Sequence, residues 1–465
     1  MTLLDKLIQK ADIEAGLHYR NPSLPCICGL PGGLNIGSKI YIKGIVPNDC
    51  SGFSVNLQRG ACDETADIYF HFNPRFPSDA GRQVVRNSRY KEEWGKEETD
   101  GESPFVPGKP FFMILTSYRN TYEVEVNGDL FCSFTHRENL SLTNVTHLCI
   151  EGNLIVQSLH IPVETMPKHL RLAIPGNAKI GDIYNIRGTV NHGAEQFVTN
   201  IQCGPGKHDD IVLHFNPRFE DRNVVRNTRS DDNWGSEEKK GKMPFEEGEQ
   251  FYLQIAVSSE EFNIRVNKSS FALFSHRLDV SYASVLYIEG DVNIEDVWID
   301  RTPTHLQAES SQEGIKNLQK SKFQTFFPEL PVTSRIINGL KAGNIVVISG
   351  IIDKQPERMA VNLQCDNSKH ADIALHYNPR WSSGNDMIVI NSRQDEKWGE
   401  EVRVTGKFPF SAGVHFEIQI LCQNESYSIL VNGIQSSVLP HRMELDRVDH
   451  ISVEGSAAVH RILVV

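Results

Sequence analysis

The chain has 465 residues, of which 39% are hydrophobic and 23% are charged. These are the values of an ordinary globular protein, and they exclude a wholly disordered or collagen-like chain. No apolar run approaches the roughly 20 residues that are needed to cross a bilayer, so we expect no membrane insertion. The net charge of −12 repels phosphate backbones, so nucleic acid is not an expected partner.

The cysteines and the N-terminus favour a cytoplasmic protein. Nine cysteines, an odd number and mostly isolated, predict reduced thiols rather than a disulfide framework. The first residues carry several charges and do not resemble a secretory signal. Their apolar side chains lie on one helical stripe, which favours a short amphipathic helix. No His, Cys and carboxylate set repeats at ligand spacing, so we expect no metal and no cofactor.

One long motif occurs three times. HFNPRF begins at His71 and recurs 143 residues later at His214, and HYNPRW follows a further 162 residues later at His376. In each copy an Asn, a Trp-Gly pair, a Pro-Phe pair, a Val-Asn step, a His-Arg pair and a Glu-Gly pair follow in the same order. Each unit has roughly 140 residues, which is too long for a solenoid repeat and long enough for its own core.

The repeat sets the expected domain boundaries. We predict a tail with a helical pattern at 1–17, a first domain at 18–163, a second at 164–302, a linker at 303–323 and a third domain at 324–465. Almost nothing separates the first two copies, so these should sit close together. The polar linker should tether the third copy more freely.

Short β-patterned runs fill each unit. KIYIKGIV, FSVNLQ and YEVEVNG in the first copy are rich in β-branched and aromatic residues and are bounded by Gly, Asn and Asp. No long segment inside a unit keeps a helical period. The fold class is therefore all-β, with three antiparallel β-sandwich or barrel domains in tandem.

The motif strand carries one polar face. In the second copy His214, Asn216 and Arg218 alternate with Leu213 and Phe215. Successive strand side chains point to opposite faces, so the apolar residues should face the core and the polar residues should form a row outside. Neighbouring antiparallel strands would add the later Asn, Trp and Glu to this row.

Such a row suits a sugar. Arg and Asn can bond hydroxyl groups with fixed geometry, and Trp can cover the C–H face of a sugar ring. The alternative is a solvent-facing strand row with no ligand. Threefold recurrence of Trp on a polar face disfavours that alternative, because stability does not require it. The recurrent Phe105, Phe245 and Phe410 are instead predicted core residues.

The sequence HxNPR, then V-x-N, then W-G-x-E-x-[RK], resembles the carbohydrate-recognition domain of the galectins, over nearly the whole chain. The resemblance implies a jelly-roll-like β-sandwich of two antiparallel sheets that binds β-galactosides. It further implies that His, Asn and Arg of HxNPR bond the galactose 4-hydroxyl, that the next Asn and the Glu take the 6-hydroxyl, and that Trp stacks on the ring. Site 1 is then His71, Asn73, Arg75, Asn87, Trp94 and Glu97; site 2 is His214, Asn216, Arg218, Asn227, Trp234, Glu237 and Lys239; site 3 is His376, Asn378, Arg380, Asn391, Trp398, Glu401 and Arg403.

The three sites depart from the family pattern differently. At the last position of the motif, site 3 has Arg403 and site 2 has Lys239, which cannot offer a bidentate fork. Site 1 has Thr99 there, so the ion pair that this position would form with Glu97 is lost. We expect galactose recognition at all three sites and different preferences for the second sugar. The number of residues between the motif Arg and the next Asn also differs among the copies.

Three functions remain to be weighed. The resemblance favours a multivalent lectin that binds lactose or N-acetyllactosamine-type glycans on glycoproteins or glycolipids, is made in the cytoplasm, and can be released without a signal peptide. A glycoside hydrolase needs two carboxylates beside the scissile bond, and each copy offers one, so we expect no enzyme. A sugar-independent scaffold on the same fold is the alternative. Self-association is left open.

Overall fold

A computed structural model describes residues 14–61, 65–77, 81–137, 142–301, 323–382, 385–404 and 408–465. These residues form strands, turns and three short 3-10 turns, and they include no α-helix, so the all-β prediction is confirmed. No helix among them could span a membrane. The chain divides into two compact units, Met1–Thr304 and His305–Val465, which are described separately.

Twelve strands belong to the first copy and eleven to the second. The first copy has β1 (Gly16–Arg20), β2 (Cys26–Gly29), β3 (Lys39–Ile45), β4 (Phe53–Gln58), β5 (Ile68–Arg75), β6 (Gln83–Tyr90), β7 (Glu93–Trp94), β8 (Pro110–Ser117), β9 (Thr121–Val126), β10 (Asp129–Thr135), β11 (His147–Gly152) and β12 (Ile155–Pro162). The second copy has β13 (His169–Ala173), β14 (Ile183–Val190), β15 (Phe197–Gln202), β16 (Ile211–Arg218), β17 (Asn223–Ser230), β18 (Asn233–Trp234), β19 (Gln250–Val257), β20 (Glu261–Val266), β21 (Ser269–Ser275), β22 (Val285–Gly290) and β23 (Val292–Asp300).

The third copy makes up the second unit. Its strands are β24 (Phe323–Phe326), β25 (Val332–Arg335), β26 (Ile345–Ile352), β27 (Met359–Gln364), β28 (Ile373–Arg380), β29 (Met387–Gln394), β30 (Lys397–Trp398), β31 (Val402–Val404), β32 (His415–Cys422), β33 (Ser426–Val431), β34 (Ile434–Pro440), β35 (His450–Gly455) and β36 (Ala457–Val464).

Each copy contains one sheet that carries the motif strand, which we call the site sheet. The site sheets have the orders β2-β11-β4-β5-β6-β7, β13-β22-β15-β16-β17-β18 and β25-β35-β27-β28-β29-β30, and β31 also pairs with β29. The motif strands β5, β16 and β28 lie inside these sheets, between two antiparallel partners. Their apolar side chains point into the core and the polar row lies on the opposite, outer face of the sheet, as the period of two predicts. On that face neighbouring side chains cover Asn216 and Asn378, which are 2% and 4% exposed.

The recurrent Val-Asn step is explained by a hairpin turn. Asn127, Asn267 and Asn432 have φ values of 55°, 49° and 49°, and each begins the two-residue turn that joins β9 to β10, β20 to β21 or β33 to β34. Asn tolerates this left-handed conformation better than most residues, and tight hairpins require it. The predicted core residues Phe105, Phe245 and Phe410 are buried in the sandwich cores.

The second sheets of copies one and two are a single sheet of eleven strands, with the order β10-β9-β8-β3-β12-β1-β23-β14-β19-β20-β21. Strand β1 lies in its middle, antiparallel to β12 of its own copy and parallel to β23 of the second copy. Gly16 begins β1 with φ +148°, and a Cβ there would lie 2.4 Å from the carbonyl oxygen of Ile161. Glycine therefore allows the strand to approach β12 closely.

The short connector between the first two copies explains why they share strand β1. Only residues 163–168 lie between β12 and β13, which leaves no room for a separate edge strand of the second copy. The third copy does have one, because β24 pairs with β36. The short connector predicts that the first two copies lie close together. The pairing of β1 with β23, which joins residues about 280 positions apart, has no local sequence signal.

Polar contacts reinforce the shared strand. Arg20 forms an ion pair with Asp300 at 2.7 Å, and the backbone N–H of Gly16 donates to Asp296 at 3.2 Å. Arg301 and Asp182, with side chains 3% and 0% exposed, form an ion pair at 2.6 Å. Arg301 also donates to Ser23 of the first copy at 3.0 Å. The two copies thus share one hydrophobic cluster, and an ion pair and hydrogen bonds cross between them.

Two expectations fall mainly on residues outside the described ranges. The predicted helix at residues 1–13 lies outside them, and Gly16 and Leu17, which we place in the tail from the sequence, belong to β1. The predicted linker at 303–323 also lies outside, apart from Phe323, which begins β24.

Arg301→Met should destabilise the first unit by about 3 kcal/mol, because the buried carboxylate of Asp182 loses its cation. Calorimetric unfolding should move the transition of this unit to lower temperature and leave that of the third copy in place. The double variant R301M/D182N removes the charge as well and should recover part of the loss. A loss below about 1 kcal/mol, within the range of an exposed pair, would contradict this interpretation.

Candidate functional site

The predicted site residues come together on the outer face of each site sheet. Cross-strand register places His71 opposite Asn87, His214 opposite Asn227 and His376 opposite Asn391. The short strands β7, β18 and β30 then pair with the end of the Asn strand and bring the Trp beside the row. The geometry therefore assembles the same set of groups three times.

Each site His is held in one tautomer by an Asn on the neighbouring strand. Nδ1 of His71 lies 2.6 Å from Oδ1 of Asn56, and the amide nitrogen of Asn56 donates to Glu151 at 3.3 Å. The amide orientation makes Nδ1–H of His71 the donor and leaves the Nε2 lone pair as an acceptor for a ligand hydroxyl. The equivalent pairs in the other copies are His214 with Asn200 at 2.8 Å and His376 with Asn362 at 2.6 Å.

The site histidines are uncharged at neutral pH. Burial, and next the positive charge of the motif Arg, lower the pKa of His71 to about 4. The same two causes lower the pKa of His214 and of His376 to about 4. Burial disfavours the imidazolium because the charged form loses its hydration.

The Asn and Arg of the motif hold one another. Nδ2 of Asn216 donates to the carbonyl oxygen of Phe197 at 2.8 Å, and its Oδ1 accepts from Nε of Arg218 at 2.8 Å. Arg218 then reaches Glu237 through its terminal nitrogen at 3.1 Å. In site 1 the corresponding Arg–Glu distance is 3.1 Å, and in site 3 it is 4.0 Å.

The Asn on the strand after the motif strand, Asn87 in site 1, uses three of its four hydrogen-bonding positions for bonds within the protein. Oδ1 of Asn87 accepts from the backbone N–H of Ser88 at 2.9 Å and from Arg137 at 2.7 Å, and Nδ2 donates to the carbonyl oxygen of Gly95 at 3.0 Å. One N–H of the amide remains for a ligand. Asn227 with Arg277 and Asn391 with Arg442 repeat the arrangement, each with an Arg–Asn distance of 3.1 Å.

The glycine of the Trp-Gly pair is required by this Arg. A Cβ on Gly95 would lie 2.5 Å from the guanidinium of Arg137 and 3.2 Å from Oδ1 of Asn87. The corresponding distances to Arg277 and Arg442 are 3.0 and 3.1 Å. The recurrent Gly therefore makes room for the Arg that orients the site Asn.

A strained hairpin sets the position of the Trp. Lys91 and Glu92, between β6 and β7, have φ values of 50° and 67°, which non-glycine residues seldom adopt. The carboxylate of Asp67 accepts from the backbone N–H of Lys91 at 2.8 Å and secures the turn. The other copies repeat both features, with Asp210 and Asp372 as the acceptors.

The Trp side chains remain available to a ligand. Trp94, Trp234 and Trp398 are 48%, 50% and 49% exposed, and their rings lie 4.7 to 4.9 Å from the site His rings. A guanidinium from Arg89, Arg229 or Arg393 lies over the indole at 5.6 to 5.7 Å. A half-exposed indole that is held in place by an Arg and a His offers a stiff apolar surface.

The three sites differ around the Glu. In site 2 Lys239 contacts Glu237 at 2.6 Å, and the hydrogen bond from Lys239, assisted by Arg218, holds the pKa of Glu237 below its usual value. In site 3 Arg403 contacts Glu401 at 3.3 Å. In site 1 Glu97 keeps Arg75 as a cationic partner, although Thr99 supplies no second charge.

The Glu that follows each WGxE motif in copies one and two does not add a second carboxylate to the row. Glu98 binds Arg137 at 2.8 Å and Glu238 binds Arg277 at 2.6 Å. Both carboxylates therefore point to the Arg behind the site Asn. Copy three has Val402 at this position, and Arg442 donates to the carbonyl oxygen of Glu400, as Arg277 does to that of Ser236. Among the described residues no group of His, Cys, Asp and Glu could hold a metal ion.

Sequence reasoning missed the supporting side chains. They recur at fixed positions in all three copies, which is the signal that could have revealed them. They are Asn56, Asn200 and Asn362 beside the His; Arg89, Arg229 and Arg393 over the Trp; Arg137, Arg277 and Arg442 behind the Asn; and Asp67, Asp210 and Asp372 under the Trp hairpin.

The sequence of this chain is similar to those of known galactoside-binding lectins. The family model for the galactoside-binding lectins matches residues 25–161, 169–299 and 331–464. Galectin-4 of Sus scrofa is 31% identical over 62% of this chain and 92% of its own length. A 32 kDa beta-galactoside-binding lectin of Haemonchus contortus is 34% identical over 61% of this chain and 98% of its own length, and galectin-8 of Rattus norvegicus is 34% identical over 60% and 89%.

Among solved structures, sheep galectin-11 in complex with glycerol matches with 25% identity and a TM-score of 0.28, over 29% of this chain and 99% of its own. The family model covers three separate segments that make up most of the chain, and each segment contains one of the assembled sites. The chain therefore belongs to the galactoside-binding lectin family.

Proposed function

We propose that this protein is a multivalent lectin whose three domains each bind a β-galactoside of the lactose or N-acetyllactosamine type, and that it cross-links glycoconjugates. The observation that supports this proposal is the half-exposed indole beside a fixed row of His, Asn and Arg in every copy. The ligands would be galactose-ended glycans on glycoproteins or glycolipids.

The hydrogen-bond donors and acceptors of each site complement those of the galactose hydroxyl groups. The Nε2 lone pair of the neutral His accepts a hydrogen bond, and the free guanidinium nitrogens of the motif Arg donate one. An axial 4-hydroxyl can serve both at once, because a hydroxyl donates and accepts. The remaining N–H of Asn87 or its equivalents donates to the 6-hydroxyl, and the indole covers the C–H face of the ring.

The second sugar should distinguish the sites. Arg403 offers a planar fork beside Glu401, Lys239 offers a point charge beside Glu237, and site 1 has no cation at that position. These differences lie at the edge of the galactose position, so they alter preference for the adjoining residue rather than galactose recognition itself.

We propose no enzymatic activity. Glycoside hydrolysis uses two carboxylates roughly 5–10 Å apart across the bond, one of which must be protonated. The row offers one Glu per site, held by cations, and the adjacent Glu98 and Glu238 bind an Arg instead. We further propose synthesis in the cytoplasm, which the free thiols of the eight described cysteines support.

The full chain should be retained on a lactosyl resin and be released by free lactose. Trp94→Ala, Trp234→Ala and Trp398→Ala should each weaken lactose binding at the altered site about tenfold or more, at 1.4 kcal/mol per tenfold, because the ring loses its apolar partner. Calorimetric titration with lactose should count one strong site fewer in each variant.

Tyr282→Ala is the matched control, because this tyrosine is also exposed and lies outside the sites. It should leave retention unchanged. Passage of the unaltered chain through the resin without retention would reject the lectin proposal in favour of a sugar-independent scaffold.

Lactose affinity should stay constant from pH 8 to about 5.5 and decline as the pH approaches 4. The site histidines have a pKa lowered to about 4, so the acceptor on Nε2 persists until that range. The unfolded chain binds these protons near the ordinary pKa of about 6.5, so folding stability also falls as the pH drops from about 6.5 to 4. Circular dichroism at each pH separates the two effects, and an affinity midpoint between pH 6 and 7 would contradict the neutral, buried imidazole.

Arg277→Met should lower lactose affinity at site 2 about tenfold, because Asn227 loses the charged donor that orients its amide. The test uses the W94A/W398A background, so that only site 2 reports. If Arg277 acts through the Asn, R277M should bind lactose and 6′-deoxylactose, which lacks the 6-hydroxyl of the galactose ring, alike, whereas the background chain should prefer lactose. R277K should restore part of that preference, and an unchanged preference in R277M would show that the Arg does not position the Asn.

A further inference from the structure

The shared strand relates the first two copies by an approximate half-turn. Strand β12 runs antiparallel to β1, and β23 runs parallel to it, so β12 and β23 run in opposite directions on either side of β1. Strands β12 and β23 are equivalent in the two homologous copies, yet they run in opposite directions in the shared sheet. An axis through β1, perpendicular to the eleven-stranded sheet, produces this relation.

Both cores lie on one face of that sheet. Leu17 and Tyr19 of β1 stand in register with Ile161 and Leu159 of the first copy and with Val297 and Ile299 of the second, and all of them belong to one hydrophobic cluster. Neighbours in register point to the same face of a sheet. The two site sheets therefore cover the same side of the shared sheet, and sites 1 and 2 open on that side of the unit.

The distance between the two sites follows from the strand spacing. Strand β5 is the third strand from the edge strand β2, and β16 is the third from the edge strand β13. Cα atoms of β2 and β13 approach within 8 Å of each other. At about 4.8 Å per strand, the motif strands of sites 1 and 2 lie about 30 to 40 Å apart across the two site sheets, with some mutual tilt from the sheet twist.

The contacts across the junction fix this distance. The parallel pairing of β1 with β23, the Arg20–Asp300 ion pair and the hydrogen bond from Arg301 to Ser23 join the two copies along this strand. A connector of six residues, 163–168, leaves no flexible tether between them. The two sites are thus parts of a single rigid body rather than domains on a linker.

We propose that sites 1 and 2 together form a fixed bivalent receptor for two terminal β-galactosides that are carried on separate glycans of one surface, about 30 to 40 Å apart. The proposal rests on the proposed lectin function and adds the geometry of its ligand. Binding the first galactoside places the second site at a high local concentration of a correctly spaced partner. A pair at another distance gains little, because the shared strand cannot stretch.

The test uses the full chain with W398A, so that only sites 1 and 2 bind. Two lactosyl groups are attached to a DNA duplex at chosen separations. One helical turn, about 34 Å, places them on the same side at the expected distance, while half a turn places them closer and on opposite sides, and three turns place them too far apart. Affinity for the one-turn duplex should exceed that for a single-lactosyl duplex at least tenfold, and the other two should show less than a threefold gain.

Two matched controls isolate the cause. W94A/W398A and W234A/W398A keep one site of the unit each, and both should bind all the duplexes equally. If W398A binds free lactose at two sites but shows no maximum near one turn, the fixed geometry is overturned while the lectin function stands. If it binds no lactose, the lectin function itself fails.

The same three chains then separate the two sources of such pairs. One arm uses a fluid bilayer that contains a lactosyl lipid, and the other uses albumin that carries several lactosyl groups. Slower release of W398A than of the controls from the bilayer alone assigns the pairs to glycolipids, and slower release from albumin alone assigns them to glycoproteins. Equal release on both surfaces overturns the proposal.

Discussion

Recognition in this protein depends on polar side chains whose hydrogen bonds are nearly all used before a ligand arrives. The site Asn has three of its four positions occupied by Arg137, Gly95 and Ser88, and the site His has one nitrogen bound to Asn56. Each group therefore presents one defined donor or acceptor. Such side chains lose little freedom on binding, which lowers the entropic cost of holding a small polar ligand.

The local sequence pattern was sufficient to predict the polar row of each site, but it did not predict the side chains that hold this row in place. Alternation along IVLHFNPRF places His214, Asn216 and Arg218 on one face, and the fixed spacing to Trp234 brings the indole to the same site. Arg277 lies just after β21, fifty residues along the chain from Asn227. Its recurrence in the His-Arg pair is visible in the sequence, but only the fold reveals that it holds Asn227. The pairing of β1 with β23 could not be predicted from the sequence, because it joins residues about 280 positions apart and produces no periodic pattern.

The differences among the sites lie outside the shared framework. His–Asn, Asn–Arg and Arg–Asn contacts recur within a few tenths of an ångström in all three copies. Variation is concentrated at the residue two positions after the site Glu, which is Thr99, Lys239 or Arg403, and in the carboxylate behind the Asn, which copy three replaces by Val402. Under the proposed lectin function this framework would keep galactose recognition constant, because its groups support one another, whereas each residue at the edge of the site can change by itself.

A small exposed site with one stacking surface gains modest free energy from a single galactoside, because its hydroxyl groups exchange bonds with water for bonds with protein. Affinity must then come from linking sites, and the way they are linked decides which arrays are bound. A flexible linker accepts many spacings at an entropic cost for each. A shared strand accepts few spacings at almost no cost, since the junction is already ordered in the free protein. The absence of room for a second edge strand between β12 and β13 is therefore a constraint on ligand spacing as well as on the fold.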